Sequence, residues 1–521
     1  MEEIELIAAL FLAVAAITAI AAVVKLPDYV VLVLAGLGIG FIPGLPEIQL
    51  EPDVVFLIFL PPLLYRAAFQ FAAQDVRPHL RAIGFLAIGL VGATLVAIAA
   101  VAHFVIGLPW PAAFVLGAAV SPTDPVAATA ILRGLGAPDR LATILEGESL
   151  VNDATALASL NIAIGALGAA TFSFLDAGLE LAWTAVVAIL IGALLGWLAS
   201  EMRKRTDQAQ VEITAAIVAT YGGFLAADLI GASGILASVV AGLVLGARAP
   251  ELGTPETRLQ ADSFWRVVAF LIESALFLLV GLAFAQVVSE LDDPALVLIG
   301  YALLIAATLF GVRLAWMYSI PKAVRFFDRR GGGASPEPDI REKLVLGLAG
   351  MRGVVTVAAA LSVPLTIDGA PFAERDLILF LAYTSIVLTL VLPALGLSFV
   401  LRRIGIAEDD EARERVAAAR IELAEAAIER AETIAAEEEI PELALDRARG
   451  TYEMRIARRR EEAGDGADSE AESAEAYRDI RRRLLEAERE RLIAIRQERS
   501  IPGGALRELE LDLDLEESRL R

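Results

Sequence analysis

Residues 111–132 read PAAFVLGAAVSPTDPVAATAIL, an apolar run interrupted in its middle by Ser121-Pro122-Thr123-Asp124-Pro125. The run is close to the roughly 20 residues needed to cross a bilayer. Its two prolines remove two backbone donors and clash with the turns before them. The span must therefore unwind locally, and unwound backbone at membrane depth is tolerated only beside protein or a watery cavity. Asp124 is then placed to cap an exposed half-helix N-terminus, while freed carbonyls such as that of Thr123 face the cavity. The plainer alternative is a proline kink with Asp124 tied to Thr123, but a kink alone does not need the acid.

The rest of the chain supports a membrane setting. Hydrophobic residues make up 57% of the 521, and mean hydropathy is +0.64, too apolar for an ordinary soluble chain. Window hydropathy predicts about thirteen spans, near 4–24, 29–46, 53–72, 82–107, 111–132, 141–168, 179–200, 210–230, 233–247, 264–289, 295–320, 342–366 and 376–401. The first is preceded by acids and lacks a cleavage motif, so it is expected to be a retained helix. The absence of Cys excludes disulfides and thiolate chemistry, and two histidines, His79 and His103, leave little for an imidazole metal cluster. A net charge of -22 argues against nucleic acid as a partner. No Walker loop, dinucleotide fingerprint or nucleophile elbow stands in a plausible context, so the chain is not expected to be an enzyme or to hold a cofactor.

Loop charge tests the count. Alternate loops carry Lys25; Arg77 and Arg81; Arg133 and Arg140; Arg203, Lys204 and Arg205; Arg248 and Arg258; and Lys322, Arg325, Arg329, Arg330 and Arg341, with Arg402 and Arg403 after the last span. The intervening loops hold Glu47, Glu51 and Asp53; Asp176 and Glu180; Glu290, Asp292 and Asp293; and Asp368 with Glu374, Arg375 being the exception. Basic loops face the cytoplasm, which predicts the N-terminus outside and the C-terminus inside, in the plasma membrane. Composition changes near Ile404, dividing the chain into a membrane domain, 1–403, and a charged tail, 404–521. The tail's Ala, Glu and Arg at helical spacing over 411–436 and 474–499 predict cytoplasmic helices, with breaks at 464–473 and 502–504.

An ionisable group inside a bilayer costs several kcal/mol unless paired or hydrated. Besides Asp124, the run Glu146-Gly-Glu148-Ser149-Leu-Val-Asn152-Asp153 calls for a reason. On a helix Ser149 and Asp153 share a face, with Asn152 beside them. A carboxylate with hydroxyl and carbonyl oxygens suits a small cation, and the same carboxylate accepts a proton. The alternative is a polar clasp between helices. Gly350-Met351-Arg352-Gly353 is a third mid-span site, whose buried Arg352 needs a partner, with Glu148 the expected one. Glu273, in a long apolar helix, either lines an ion route or pairs with Arg313. Arg66 follows Pro61-Pro62 and can snorkel toward the cytoplasmic side.

Together, Phe59-Leu-Pro-Pro-Leu-Leu-Tyr-Arg66, Ser121-Pro-Thr-Asp-Pro125, Gly147-Glu-Ser-Leu-Val-Asn-Asp153 and Gly350-Met-Arg-Gly353 resemble, in order, the motifs of the monovalent cation:proton antiporter-1 family of sodium/proton exchangers. The resemblance implies an all-α polytopic fold of thirteen helices, arranged as two inverted six-helix repeats with helices five and twelve broken and crossing. It implies a homodimer in a lipid bilayer, with Na+ and H+ as substrates. It also makes Asp153 the shared cation and proton carrier, with Ser149 and the Thr123 carbonyl as Na+ ligands. Asn152-Asp153 resembles the pair associated with electroneutral exchange, Glu148–Arg352 the family's structural ion pair, and Asp124 its helix-end neutraliser. Arg66 departs from the pattern, because many members place an acid or Asn there. A fixed positive charge at that position makes K+ (or Li+) an alternative to Na+. The rivals are a K+/H+ antiporter, a channel and, from another class, a membrane-embedded sensor with a signalling tail.

Overall fold

The computed structural model describes residues 2–24, 26–43, 55–71, 83–134, 137–167, 174–249, 252, 254–291, 293–328, 339–367, 369–404, 410–437, 441–462, 484 and 486–488. The chain divides into two compact units, Met1–Glu408 and Asp409–Arg521. Lys25, Glu47, Glu51, Asp53, Arg77, Arg81, Asp292, Arg329, Arg330 and Asp368 lie outside the described residues, as do His79, the expected breaks at 464–473 and 502–504, and most of 474–499.

The first unit is helical: α1 (Glu2–Val24), α2 (Asp28–Gly40), α3 (Leu60–Gln70), α4 (Val91–Val101), α5 (Trp110–Ala119), α6 (Val126–Gly134), α7 (Asp139–Gly165), α8 (Phe174–Arg203), α9 (Ala209–Asp228), α10 (Gly234–Arg248), α11 (Pro255–Ser289), α12 (Ala295–Asp328), α13 (Ile340–Leu348), α14 (Val354–Leu361) and α15 (Arg375–Ile404). Wider π-helical turns precede α3 and flank α4. Pro61 and Pro62 sit in the first turn of α3, directly after the π-helical turn Val55–Phe59, where their missing N–H groups leave carbonyls of that turn without an intrahelical donor. Among the described residues six helices are long and apolar enough to cross a membrane: Phe85–Ile106, Ala182–Arg203, Ala209–Asp228, Pro255–Ser289, Ala295–Ser319 and Arg375–Leu401.

These helices are apolar on more than one face. Trp183, Leu190, Leu194 and Trp197 point outward from α8, as Leu296 and Leu303 do from α12, a surface suited to acyl chains and not to water. Inside, Val115, Leu116, Leu157, Leu160, Val357, Ala358, Ile386 and Leu390 join α5, α7, α14 and α15 in one core. Helices α2 and α11 cross backbone to backbone. A Cβ on Gly36 would meet the Leu278 carbonyl, and one on Gly281 would meet that of Val33. Small residues permit such contact where lipid supplies no hydrophobic drive between helices.

Each of the stretches 111–132 and 342–366 is divided. The first is α5 and α6 around extended residues 121–125, and the second is α13 and α14 around 351–353. After α14 comes a small departure from an all-α chain, a two-residue ladder pairing Thr366–Ile367 with Ala370–Pro371. Gly369, at φ 81°, supplies the left-handed turn that closes it. Arg375, the exception to the loop-charge pattern, donates Nε to the Val363 carbonyl at 3.2 Å and lies 3.8 Å from Asp376. Its charge is offset locally by the carbonyl end of α14 and by that acid.

In the second unit α16 (Asp410–Glu437) and α17 (Glu442–Glu462) pack on one another, with an Arg449–Glu432 ion pair between them. Helix α17 was not among the expected helices. Its apolar positions are sparse and its surface charge dense, so periodicity gave little signal.

Candidate functional site

The two extended stretches meet. The Asp124 N–H donates to the Met351 carbonyl at 2.9 Å, joining the break in the first to the break in the second. The position of the first break follows from its prolines. In a continuous helix the Ser121 carbonyl would accept from residue 125, but Pro125 has no N–H to give. Arg352 fills that place: its Nη1 donates to the Ser121 carbonyl and, at 2.7 Å, to that of Pro122. The Arg352 N–H in turn donates to Thr389 Oγ1 on α15 at 3.1 Å.

The opposite polarity is met by Asp124. Its Oδ1 accepts from the Val126 N–H at 2.9 Å, at the start of α6, and the carboxylate also accepts from the Val354 N–H at the start of α14. One acid thus faces two half-helix N-termini, where partial positive charge gathers. Gly353 is required here, because a Cβ at that position would strike the Asp124 carboxylate.

The expected Glu148–Arg352 pair is not formed. Glu148 is instead held by Arg313 of α12, in a two-pronged contact of 2.5 Å (Nη1 to Oε1) and 2.8 Å (Nη2 to Oε2). Arg313 Nε donates to the Leu346 carbonyl at 2.9 Å, so the same side chain caps the end of α13. Both residues are almost wholly buried, at 2% and 1% exposed. The physical reason for the exchange of partners is that Arg352 is consumed by the carbonyls orphaned at the first break. The alternative pairing of Glu273 with Arg313 falls for the same reason, since Arg313 is committed to Glu148. Sequence reasoning passed over Arg313 as an ion-pair partner for Glu148, although a lone Arg in the apolar stretch 295–320 was the available signal.

A polar chain runs from this pair toward the middle of the unit. Thr123 Oγ1 donates to Glu148 Oε1 at 3.0 Å, and Asn152 Nδ2 donates to Thr123 Oγ1 at 2.5 Å. The same amide reaches the Thr123 carbonyl at 3.5 Å, a long contact that leaves this oxygen acceptor capacity. Beside the chain opens a cavity of about 650 Å3, lined by Arg66, Thr123, Asp124, Ser149, Asp153 and Glu273 among others. Asn152, Glu148 and Arg352 stand behind its wall. Asp153 is 6% exposed, and among the described residues its carboxylate has neither an ion-pair partner nor a hydrogen-bond donor. Such a group is stable in a dry interior only when its charge is neutralised. At one rim of the cavity Arg133 and Glu146 pair at 2.6 Å. Among the described residues no cluster of three or more His, Cys, Asp or Glu is arranged to hold a metal as a fixed centre.

The profile of the transmembrane sodium/hydrogen exchanger family matches residues 8–403. The chain belongs to this family. The exchanger is 32% identical over 503 residues to an uncharacterised Na+/H+ exchanger of Mycobacterium tuberculosis, across 94% of this chain and 91% of the relative. It is 30% identical over 391 residues to the Na+/H+ antiporter ApNhaP of Aphanothece halophytica, across 75% and 72%. Its fold is similar to that of the sodium proton antiporter MjNhaP1 of Methanocaldococcus jannaschii, with a TM-score of 0.62 at 23% identity, covering 77% of this chain and 98% of that one. It is an integral membrane protein of a cation/proton antiporter family, and the cavity at Asp153 lies inside the family-matched region.

Proposed function

We propose that the protein exchanges Na+ for H+ across the plasma membrane, one for one and electroneutrally, by alternating access. The observation that carries this reading is Asp153: a buried carboxylate facing a cavity, with no protein counter-charge of its own. Asp153 binds either the cation or a proton, with Ser149 and the Thr123 carbonyl supplying further oxygens to the cation and Asn152 orienting Thr123. The unit changes its access only when that charge is neutralised, because carrying a bare carboxylate past a dry barrier is costly. One carboxylate occupied by turns gives a one-to-one exchange with no net charge moved. Thirteen spans in two inverted repeats, a homodimer, an outward N-terminus and a cytoplasmic tail complete the proposed architecture.

The test is exchange in liposomes with an imposed pH gradient, followed by internal pH on adding Na+, K+ or Li+ salts. Asp153→Asn should abolish cation-driven collapse of the gradient while the protein still inserts and elutes as folded. Undiminished exchange in that variant would remove Asp153 from the transport role. A K+/H+ exchanger is the second reading, favoured by one observation, the fixed positive charge of Arg66 on the cavity wall. Collapse with K+ and not with Na+ would select it.

A further inference from the structure

Arg66 and Glu273 face the same cavity from two different helices, α3 and α11. Arg66 also lines a smaller pocket of about 220 Å3 with Tyr65, Arg203, Glu212 and Trp265, so it stands in the wall between two cavities. In the smaller pocket Arg203 is already matched, with Nη2 2.8 Å from Glu212 Oε2. Arg66 is not matched in this way: its Nε is buried without a partner, and among the described residues no acid lies within ion-pair distance of it. Glu273 likewise has no ion pair among the described residues. Both line the same low-dielectric cavity, where an unpaired guanidinium and an unpaired carboxylate attract one another without touching.

The charged groups on the cavity wall are partly matched already. Arg133 and Glu146 pair with each other. Asp124 is engaged by two helix N-termini. What remains is Arg66, Glu273 and Asp153. With Arg66 and Glu273 offsetting one another, the cavity keeps the single negative charge of Asp153, which one monovalent cation or one proton neutralises. Without Glu273, Arg66 would cancel Asp153 and the cavity would lose its attraction for a cation.

We propose that Arg66 and Glu273 form a compensating charge pair across the cation cavity, and that Glu273 sets the cation affinity of Asp153 by offsetting Arg66. This rests on the antiport function proposed above and adds to it two specificity-determining residues. Neither residue has to touch the cation, since a charge lining a low-dielectric cavity acts across it.

The experiment measures KM and Vmax for the driving cation in proteoliposomes, for the unaltered protein and for Glu273→Gln, Arg66→Gln and the double variant. Glu273→Gln should raise KM about tenfold, equivalent to about 1.4 kcal/mol of binding. Arg66→Gln should lower it, and the double variant should return close to the starting value. Glu273→Asp, which restores the charge, should recover most of the lost affinity. A purely structural role would lower Vmax or yield while leaving KM in place, and that outcome overturns the proposal. It is equally overturned if both single variants raise KM, or if the double variant stays as weak as Glu273→Gln. Failure of the unaltered protein to exchange any of Na+, K+ or Li+ is a separate result, because it removes the antiport function itself.

Discussion

At the residue scale the decisive contact is Arg313 with Glu148. Two parallel N–H to O contacts hold a carboxylate that also accepts from Thr123, and the guanidinium still has Nε free to cap Leu346. Breaking a buried pair by removing one partner costs about 3–5 kcal/mol, because an uncompensated charge remains. Arg313→Ala should therefore lower thermal stability in detergent steeply, and adding Glu148→Gln should recover part of it. A melting temperature unmoved by Arg313→Ala would show that the pair carries no such weight. Much of this neighbourhood was legible in the sequence. Ser149 stands one turn before the adjacent Asn152 and Asp153, and the two prolines around Asp124 announce orphaned backbone groups. The partner of Glu148 was not legible, because Arg313 and Arg352 are both single arginines in apolar spans. Choosing between them requires knowing which carbonyls each break leaves unpaired, and that depends on how two distant breaks are set against each other.

At the element scale three of the four half-helices share two compensating side chains at their breaks, and Arg313 caps the fourth, α13. Asp124 faces the starts of α6 and α14, and Arg352 faces the carbonyl end left by α5. A charge opposite a helix end contributes roughly 0.3–1 kcal/mol at exposed sites and up to about 2 where partly buried. The arrangement needs the two backbones close together, and Gly353 is what permits it. Gly353→Ala should push the Asp124 carboxylate off the α14 N-terminus, reducing transport at least tenfold while the protein still inserts. Exchange at the unaltered rate in Gly353→Ala would mean that the breaks tolerate separation, and that Asp124 is not required at both helix starts. The prolines and glycines of these stretches made the breaks readable, whereas the bond from Asp124 to Met351 joins residues more than two hundred positions apart and no local pattern encodes it.

At the scale of the whole molecule the question is which part of the chain transport requires. Every described residue lining the cavity at Asp153 falls between Leu60 and Thr356, the apolar core among the described residues runs to Leu401, and the family match ends at residue 403. The second unit, Asp409–Arg521, forms its own helix pair, α16 with α17, and closes its own ion pair between Arg449 and Glu432. Among its described residues the buried apolar content is small, Ala424 being the buried apolar side chain. The charges proposed to bind and move a cation all lie in the first unit. A chain ending after Glu408 should insert, elute as folded and exchange with a KM within about twofold of the full chain, since a binding change under 0.4 kcal/mol is about twofold. The same liposome assay, run on both chains over a range of pH, checks this. Equal KM with a displaced pH profile would give the tail a regulatory part. Loss of exchange in a folded, inserted, shortened chain would place the tail within the transport cycle, and the cavity alone would then no longer account for the activity.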